Sequence, residues 1–355
     1  MSKIRVLVVD DSVVLRRMVS DELSADPALE VVGTAANGRI ALSKLTQVNP
    51  DLVILDIEMP ELDGLATLRA IRNTHPKLPV IMFSALTERG ASATIDALAY
   101  GASDYFAKPT SASGPAESLR VIREQLVPAI KALCKQPGAS APEPGPAPVA
   151  TSGGYAAVRP FELVAIGTST GGPNALCEVF AGLPADFPVP IVIVQHMPPM
   201  FTQMLAARLS AQFALPVEEG KAGGVLRPGH VWLAPGDFHM SVVRGAGSVR
   251  IALDQSPPEN SCRPAVDVLF RSAAQTFGPG VLAVVLTGMG QDGLRGCEAV
   301  RAAGGQVVVQ DEPTSVVWGM PGFVARAGLA NRVLPLSLIG SDIVRRVRAG
   351  RGAGP

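Results

Sequence analysis

Three polar residues in the second half of the 355-residue chain have the side-chain types of a hydrolytic triad. Ser169 lies in VAIGTSTGGPNAL, between an apolar run and a segment with apolar residues at helical spacing. His196 ends the run PIVIVQH, and Asp292 follows the run VLAVVLTG. If these runs are neighbouring parallel strands, the three side chains meet at one edge of a sheet. A hydroxyl, an imidazole and a carboxylate placed together can act as nucleophile, general base and orienting acid.

The glycines around Ser169 allow a second interpretation of this loop. The sequence GTSTG matches the GxSxG pattern of a nucleophile elbow, but the order Ser, His, Asp differs from that of α/β-hydrolases. A strand that turns tightly into a helix also leaves backbone N–H groups free for an anion, either a resident phosphate or an oxyanion formed during a reaction. A phosphate loop would be followed by a GK[ST] lysine or an acidic ribose contact, and neither is found here. Spacing alone leaves both interpretations open.

Five polar residues in the first half follow apolar runs in the pattern of a phosphoryl-accepting site. Asp10 and Asp11 end the first run, Asp56 the third, Ser84 the fourth and Lys108 the fifth. Three crowded carboxylates require a cation, and all-oxygen ligation with retained water suits Mg²⁺. A lysine and a hydroxyl across the same pocket would hold phosphoryl oxygens while a carboxylate attacks phosphorus. Asp56 is the candidate nucleophile.

Two successive patterns of alternating strands and helices position these residues. Apolar runs alternate with helical patterns before residue 125, and the alternation returns after the linker with FELVAIG, PIVIVQH, HVWLAP, VLAVVLTG and QVVVQD as strand candidates. Such alternation predicts parallel sheets with helices on both faces. The segment 230–253 is more typical of an antiparallel hairpin inserted into the second sheet. We predict an α/β protein of two three-layer αβα domains, at 1–125 and 159–350, the second doubly wound with a β-hairpin insertion.

The segment between the predicted domains reads as a linker. The sequence QPGASAPEPGPAPVATSGGYAAVRP is rich in Pro, Ala and Gly and poor in large apolar residues, so it cannot bury a core. We therefore assign 126–158 to the end of a helix followed by this linker.

Composition excludes several classes of function. Lys plus Arg number 31 and Asp plus Glu number 31, so no net charge attracts nucleic acid or an anionic membrane. The four cysteines are far apart, without a CxxC pair, and the amino terminus lacks a signal-peptide pattern. No apolar run approaches the roughly 20 residues that span a bilayer. We expect a soluble cytoplasmic protein with no nucleic-acid partner and no membrane insertion.

The segments VVDDS, DLVILDIEMPELDG, FSA and YFAKP resemble the receiver domain of two-component response regulators, over residues 1–125. The resemblance implies a flavodoxin-like fold, phosphorylation of Asp56 by a histidine kinase, and Mg²⁺ as cofactor for that step. Tyr105 falls where receivers carry a switching aromatic residue, although a half-buried strand tyrosine would also explain it. The implied site comprises Asp10, Asp11, Asp56 and the Glu58 backbone carbonyl as metal ligands, with Ser84 and Lys108 as phosphoryl contacts.

The segments IGTSTGGP, VQHMP, VWLAPGDFHM, CRPAVDVLF, LTGMGQDG and GGQVVVQDEPTSVVWGMP resemble the catalytic domain of the CheB family of chemotaxis protein-glutamate methylesterases, over residues 160–345. The resemblance implies that Ser169, His196 and Asp292 form the triad, with Thr170 and Met289 beside the oxyanion. It implies phosphorylation-controlled hydrolysis of glutamate methyl esters on chemoreceptors, releasing methanol, and deamidation of receptor glutamines. No cofactor is implied for hydrolysis.

Two other classes compete with this interpretation. A response regulator with a non-catalytic output domain could bind DNA or a protein; neutral charge and the lack of a helix-turn-helix pattern disfavour DNA, and a protein-binding output stays the alternative. A metallohydrolase would need ligand spacing that His196, His230 and His239 do not provide.

Overall fold

The structure is a computed structural model, and it describes residues 3–85, 87–108, 114–134, 160–349 and 351. The chain divides into two compact units, Met1–Cys134 and Lys135–Pro355, each with its own parallel sheet. The predicted segment at 126–158 is described up to residue 134, and its residues 135–158 lie outside the described residues.

The first unit is built on a five-stranded parallel sheet. Its strands are β1 (Ile4–Val9), β2 (Leu29–Ala35), β3 (Leu52–Asp56), β4 (Val80–Ser84) and β5 (Asp104–Ala107). They lie in the order β2-β1-β3-β4-β5, which is the flavodoxin-like order predicted for this unit. All five residues of β3 are buried, which is why such central strands read as continuous apolar runs rather than as an alternation.

In the part of the first unit that the structure describes, six helices surround the sheet, and the first four have polar N-cap residues. They are α1 (Val13–Ser24), α2 (Gly38–Val48), α3 (Gly64–Thr74), α4 (Glu88–Ala99), α5 (Gly114–Val121) and α6 (Val127–Leu133). The N-cap side chains of Ser12, Asn37, Asp63 and Thr87 each accept a hydrogen bond from the first turn of α1 to α4. A π-helical turn, Ile122–Leu126, joins α5 to α6, and its buried end residues belong to the core of this unit. The last helix therefore packs on the first unit up to Leu133.

The second unit is built on a seven-stranded sheet in which every neighbouring pair is parallel. Its strands are β6 (Leu163–Thr168), β7 (Ile191–Gln195), β8 (Val217–Glu219), β9 (Val231–Leu233), β12 (Val281–Val285), β13 (Gln306–Gln310) and β14 (Arg332–Leu334), with a separate pair β10 (His239–Arg244) and β11 (Val249–Asp254). Its helices are α7 (Gly172–Ala181), α8 (Phe201–Gln212), α9 (Val266–Phe277), α10 (Leu294–Ala302), α11 (Met320–Arg326) and α12 (Leu336–Ala349), with a 3₁₀ turn at Gly278–Gly280.

The order of the strands reverses at the centre of this sheet. The sheet reads β14-β13-β12-β6-β7-β9-β8, so after β6 the chain moves to one side and later returns to β12 on the other. Ligands of doubly wound sheets bind in the crevice beyond the carboxyl ends of the strands at such a reversal. Ser169 follows β6 and Asp292 follows the end of β12, so the predicted site lies at this crevice.

The predicted hairpin is smaller than expected. Strands β10 and β11 pair antiparallel, as predicted, but β9 does not join them. It pairs parallel to β7 and β8 in the main sheet, and all three of its residues are buried, as in a strand covered on both faces. The predicted fold class is otherwise confirmed. Among the described residues, no helix combines the length and the apolar composition needed to cross a membrane.

Candidate active site

Backbone pairing places Ser169 and His196 side by side. In the parallel pair of β6 and β7, Thr168 is opposite Gln195, so Ser169 and His196 are the next residues on adjacent strands. The His196 N–H donates to the Thr168 carbonyl at 3.1 Å, and the Ser169 N–H donates to the Thr287 carbonyl at 3.0 Å. Neighbouring strands lie about 4.8 Å apart, so the nucleophile candidate and the base candidate leave the sheet within reach of each other.

Asp292 completes a hydrogen-bonded pair with His196. The His196 Nε2 atom lies 2.8 Å from Asp292 Oδ2, and the Asp292 side chain is 2% exposed. Burial alone would raise the pKa of Asp292, but the hydrogen bond and charge of His196, together with backbone N–H donors, lower it. The further donors to this carboxylate are the backbone N–H groups of Val266, Asp267 and Gly293 and the Asn260 amide. Asp292 is therefore an ionised acceptor that fixes the His196 ring.

The Ser169 hydroxyl is adjacent to this pair but not bonded to it. The hydrogen bonds of the described residues include none between the Ser169 hydroxyl and His196. Because Asp292 occupies Nε2, the nitrogen left to accept the Ser169 proton is Nδ1. That atom lies 3.5 Å from the sulfur of Cys262. Catalytic hydrogen bonds are often long or absent without substrate, so the missing bond does not argue against Ser169 as nucleophile, and its role stays a prediction.

Cys262 also affects the protonation of His196. Burial lowers the pKa of His196, but the charge of Cys262 and the hydrogen bonds of the ring with Asp292 and Cys262 outweigh it and raise the pKa to about 10. The ordinary value is 6.5, so in this arrangement the imidazolium is the favoured form at neutral pH. A general base must be neutral, and its neutral fraction grows as the pH rises toward the pKa.

We therefore expect kcat/KM for ester hydrolysis by the full chain to rise about tenfold per pH unit between roughly pH 7 and 9. The measurement is methanol release from methylated receptor membranes, with Ser169→Ala at each pH as the blank for spontaneous ester hydrolysis. Cys262→Ala is expected to move the rise to lower pH. A profile already flat above pH 7 would mean that His196 is neutral in the working enzyme.

The turn that leads from Ser169 into α7 brings backbone N–H groups close to the candidate nucleophile. Helix α7 begins after Gly171, whose φ of 76° is left-handed and favours glycine. The Thr170 carbonyl accepts from the Thr287 hydroxyl at 3.0 Å, and the Gly172 N–H donates to the Ser169 carbonyl. Within the described residues, the N–H groups of Thr170 and Gly171 donate to no protein acceptor. Unpaired donors beside a nucleophile can stabilise a tetrahedral anion.

The loop after β12 approaches Ser169 closely on the other side. A Cβ atom added to Gly288 would lie 2.8 Å from the Ser169 Cβ, so only glycine fits there. The next residue, Met289, is half-buried at the same edge. Thr170 follows Ser169 in the chain and Met289 follows the glycine that approaches it, and the oxyanion role of both stays a prediction.

Two polar residues that support the site were missed from the sequence. The Gln195 amide is buried and donates to the carbonyls of Ser169 at 2.9 Å and His196 at 3.2 Å, so it ties the two loops together. The Asn260 amide donates to Asp292 at 3.0 Å and to Asp267 at 2.9 Å. A glutamine that ends an apolar strand was a signal for the first; no local signal marked the second.

The predicted phosphoryl site of the first unit is also assembled. Lys108 Nζ lies 2.9 Å from Asp10 Oδ2 and 2.7 Å from Asp56 Oδ1, and carboxylate oxygens of Asp10, Asp11 and Asp56 lie within 4.8 Å of one another. Burial raises the pKa of Asp56 to about 6. Lys108 opposes this rise, and the charge of Asp10 adds to it. Asp56 Oδ2 is buried without a hydrogen-bond partner. An unpartnered carboxylate oxygen in an excess of negative charge fits a hard cation such as Mg²⁺.

The other predicted residues of this site lie around Asp56 without contacting it through their functional atoms. The Glu58 N–H donates to Asp56 Oδ1 at 3.3 Å. The Ser84 hydroxyl is buried and donates to the Gly90 carbonyl at 3.0 Å, so it has to exchange this bond before it can contact a phosphoryl group. Tyr105 is half-buried in β5. The roles of the Glu58 carbonyl and of Tyr105 stay predictions.

Fold and sites together define a response regulator with an enzymatic output: a receiver-type unit followed by a doubly wound unit with Ser, His and Asp at its switch point. Two family models match the chain, the response regulator receiver domain over residues 6–118 and the CheB methylesterase over residues 164–343. The chain belongs to the CheB methylesterase family.

Relatives match over almost the whole chain. A protein-glutamate methylesterase/protein-glutamine glutaminase of Trichodesmium erythraeum is 54% identical and covers 98% of this chain and 100% of the relative. One of Nocardioides sp. is 55% identical and covers 99% of this chain and 97% of the relative. The crystal structure of the Thermotoga maritima CheB methylesterase catalytic domain is 44% identical with a TM-score of 0.51, covering 52% of this chain and 98% of that one. The predicted family and enzyme class are confirmed.

Proposed function

We propose that this chain is a phosphorylation-activated methylesterase and glutaminase that acts on glutamate methyl esters and glutamines of chemoreceptors, with Ser169 as nucleophile. The observation that carries the proposal is the register of β6 and β7, which sets Ser169 beside His196 while Asp292 holds the far side of the imidazole. Methanol release from methylated receptor membranes tests it. A non-catalytic protein-binding output domain predicts no release.

The reaction follows from the groups at the edge of the sheet. Ser169 Oγ attacks the γ-carbonyl carbon of the substrate while His196 Nδ1 accepts the hydroxyl proton. The same imidazole returns the proton to the departing methoxy group, and methanol leaves an acyl-serine. Water then attacks that ester, again losing a proton to His196, and glutamate and free Ser169 are formed. With a glutamine substrate the leaving group is ammonia, and the later steps are the same.

The tetrahedral intermediate carries its negative charge on the former carbonyl oxygen. The unpaired N–H groups of Thr170 and Gly171 support a role as donors to this oxygen, at the positive end of α7. One such donor contributes about 3 to 4 kcal/mol to the stability of a transition state. The loop is thus suited to a transient anion rather than to a resident phosphate.

The first unit supplies the regulation. Asp56, largely ionised at neutral pH with a pKa of about 6, would attack the phosphorus of a phosphohistidine on a histidine kinase. Lys108, already in contact with Asp56, would hold a phosphoryl oxygen, and Ser84 would contact another after leaving Gly90. The residues that would hold Mg²⁺ are Asp10, Asp11 and Asp56, with the Glu58 carbonyl as a further ligand. When bound there, Mg²⁺ would neutralise charge on the transferring phosphoryl group.

Removing Mg²⁺ is expected to abolish phosphorylation of Asp56 and to leave basal methanol release unchanged, because no metal is assigned to the Ser169 site. The measurement compares both readouts with and without a chelator, using a small-molecule phosphodonor. Asp56→Asn is the matched control: we expect basal release without any response to the phosphodonor. Loss of basal release on chelation would instead favour a metal-dependent hydrolase.

The partners follow from this assignment. We propose a methylated chemoreceptor as protein substrate, a histidine kinase as phosphodonor and the cytoplasm as the compartment. Equal numbers of acidic and basic residues support the absence of a nucleic-acid partner.

A further inference from the structure

Cys262 lies against the catalytic base in the geometry of a second nucleophile. Its sulfur is 3.5 Å from His196 Nδ1, and the opposite ring nitrogen is bound to Asp292. Cys262, His196 and Asp292 are therefore arranged as a thiol, an imidazole and an orienting carboxylate, the arrangement that generates a reactive thiolate. Neither the methylesterase mechanism nor the phosphoryl site uses this sulfur.

A tight turn fixes the sulfur in this place. The backbones of Glu259 and Cys262 exchange two hydrogen bonds, of 3.1 and 2.9 Å, and the two residues between them have φ values of 52° and 62°. Both carboxylate oxygens of Glu259 are bound by Arg271 of α9, each at 2.6 Å. Asn260, within the turn, donates to Asp292. The contact between sulfur and imidazole is thus held by the same elements that hold the triad.

The other three cysteines lie in surroundings that suppress their reactivity. Burial raises the pKa of Cys134, with help from the charge of Asp51, to about 12. Burial also raises the pKa of Cys177, and that of the fully buried Cys297 well above its usual range. Because the thiolate is the nucleophile, these thiols react slowly with electrophiles and oxidants. Cys134 and Cys177 are as partly exposed as Cys262, so Cys262 is set apart by its imidazole partner.

We propose that Cys262 is a thiol modification site through which a hydroperoxide switches the esterase off. The inference rests on the proposed role of His196 as general base. The thiolate attacks one oxygen of hydrogen peroxide, a sulfur–oxygen bond forms and the oxygen–oxygen bond breaks. The hydroxide that leaves takes the His196 proton and becomes water. Sulfur loses two electrons and the peroxide gains them.

The product is a sulfenic acid on the Nδ1 side of His196. The sulfur already contacts Nδ1 at 3.5 Å, and the added hydroxyl donates a stronger hydrogen bond to that nitrogen, so Nδ1 no longer accepts the Ser169 proton. A small thiol reverses the change: it condenses with the sulfenic acid with loss of water, and a second thiol molecule releases Cys262 from the resulting disulfide. Oxidation thereby acts on the hydrolytic site without involving Asp56.

The test measures methanol release by the full chain before hydrogen peroxide, after it, and after dithiothreitol. We expect a loss of about a hundredfold that dithiothreitol restores, because a general base contributes about 10²- to 10⁴-fold to a rate. Cys262→Ser and Cys262→Ala are each expected to keep their own starting activity through the peroxide step. Cys177→Ala, the matched control, is expected to be as sensitive as the natural chain. Dimedone, which labels sulfenic acids, is expected on the peptide that contains Cys262.

Equal peroxide sensitivity of the Cys262 variants would overturn the inference and point to oxidation elsewhere, for example at Met289.

Alkylation by iodoacetamide gives a readout that does not need the esterase. Cys262 is expected to react about tenfold more slowly in His196→Ala than in the natural chain; equal rates would overturn the inference even if the Cys262 variants hydrolyse nothing. An untreated chain that releases no methanol, yet shows the His196-dependent alkylation, would contradict the proposed function and not the reactivity of Cys262.

Discussion

Ser169→Ala is expected to lower methanol release by the full chain by about 10⁴-fold or more, since a serine nucleophile and its base act as a unit. The acyl-enzyme cannot form without the hydroxyl, and only binding and the N–H donors at the start of α7 remain. Phosphorylation of Asp56 is expected to be unchanged, because Asp56 and Ser169 belong to different sheets. Both quantities can be measured on one preparation with a phosphodonor.

The matched control for this substitution is Ser341→Ala. Ser341 is exposed in α12, and among the described residues its hydroxyl bonds only to the carbonyl of Leu338 in the preceding turn. The control is expected to release methanol at the natural rate. Substantial hydrolysis by Ser169→Ala would assign the nucleophile to another residue, and an acyl adduct on Cys262 would identify which one.

His196→Ala is expected to be about as damaging as Ser169→Ala, and the double variant no worse than either single one. Without the imidazole, nothing at the site accepts the serine proton. The measurement is kcat/KM for methanol release by the three variants. Additive losses would show that the two residues act independently.

Asp292→Asn tests the other member of the hydrogen-bonded pair of His196 and Asp292. It is expected to leave more activity than His196→Ala, because Asp292 orients the ring without exchanging a proton with the substrate. Equal or greater damage, together with loss of the folded structure by circular dichroism, would assign Asp292 a mainly structural role at the start of α9.

The strands and the residues that end them could be predicted because buried parallel strands leave a strong local pattern. The apolar runs before Asp56, Ser169 and His196 are strands, and parallel strands bring their carboxyl ends to one edge. Nothing more than the local sequence was needed. The choice between a phosphate-binding loop and an oxyanion loop could not be made from the local sequence, because it depends on which residues lie beside Ser169.

The parts that the sequence did not predict depend on contacts across long stretches of chain. Asn260 and Cys262 reach the site from a turn whose residues adopt positive φ, and their partners are 32 and 66 residues away. The hydroxyl of Ser84 donates to a helix rather than to the phosphoryl pocket, a choice of rotamer that no motif encodes. Strands β8 and β14 are three residues long, too short to show a period.

The pairing of Thr168 with Gln195 has a consequence for which changes the enzyme tolerates. The distance between nucleophile and base depends on the number of residues in two hydrogen-bonded strands, because their register fixes which residues lie side by side. It does not depend on the shapes of the side chains beneath them. Exchanges among Val, Ile and Leu in β6 or β7 leave that count unchanged. A deletion of one residue in either strand reverses the faces of all residues beyond it and carries Ser169 or His196 away from the crevice. Natural variation at this site is therefore expected in side-chain volume and not in strand length.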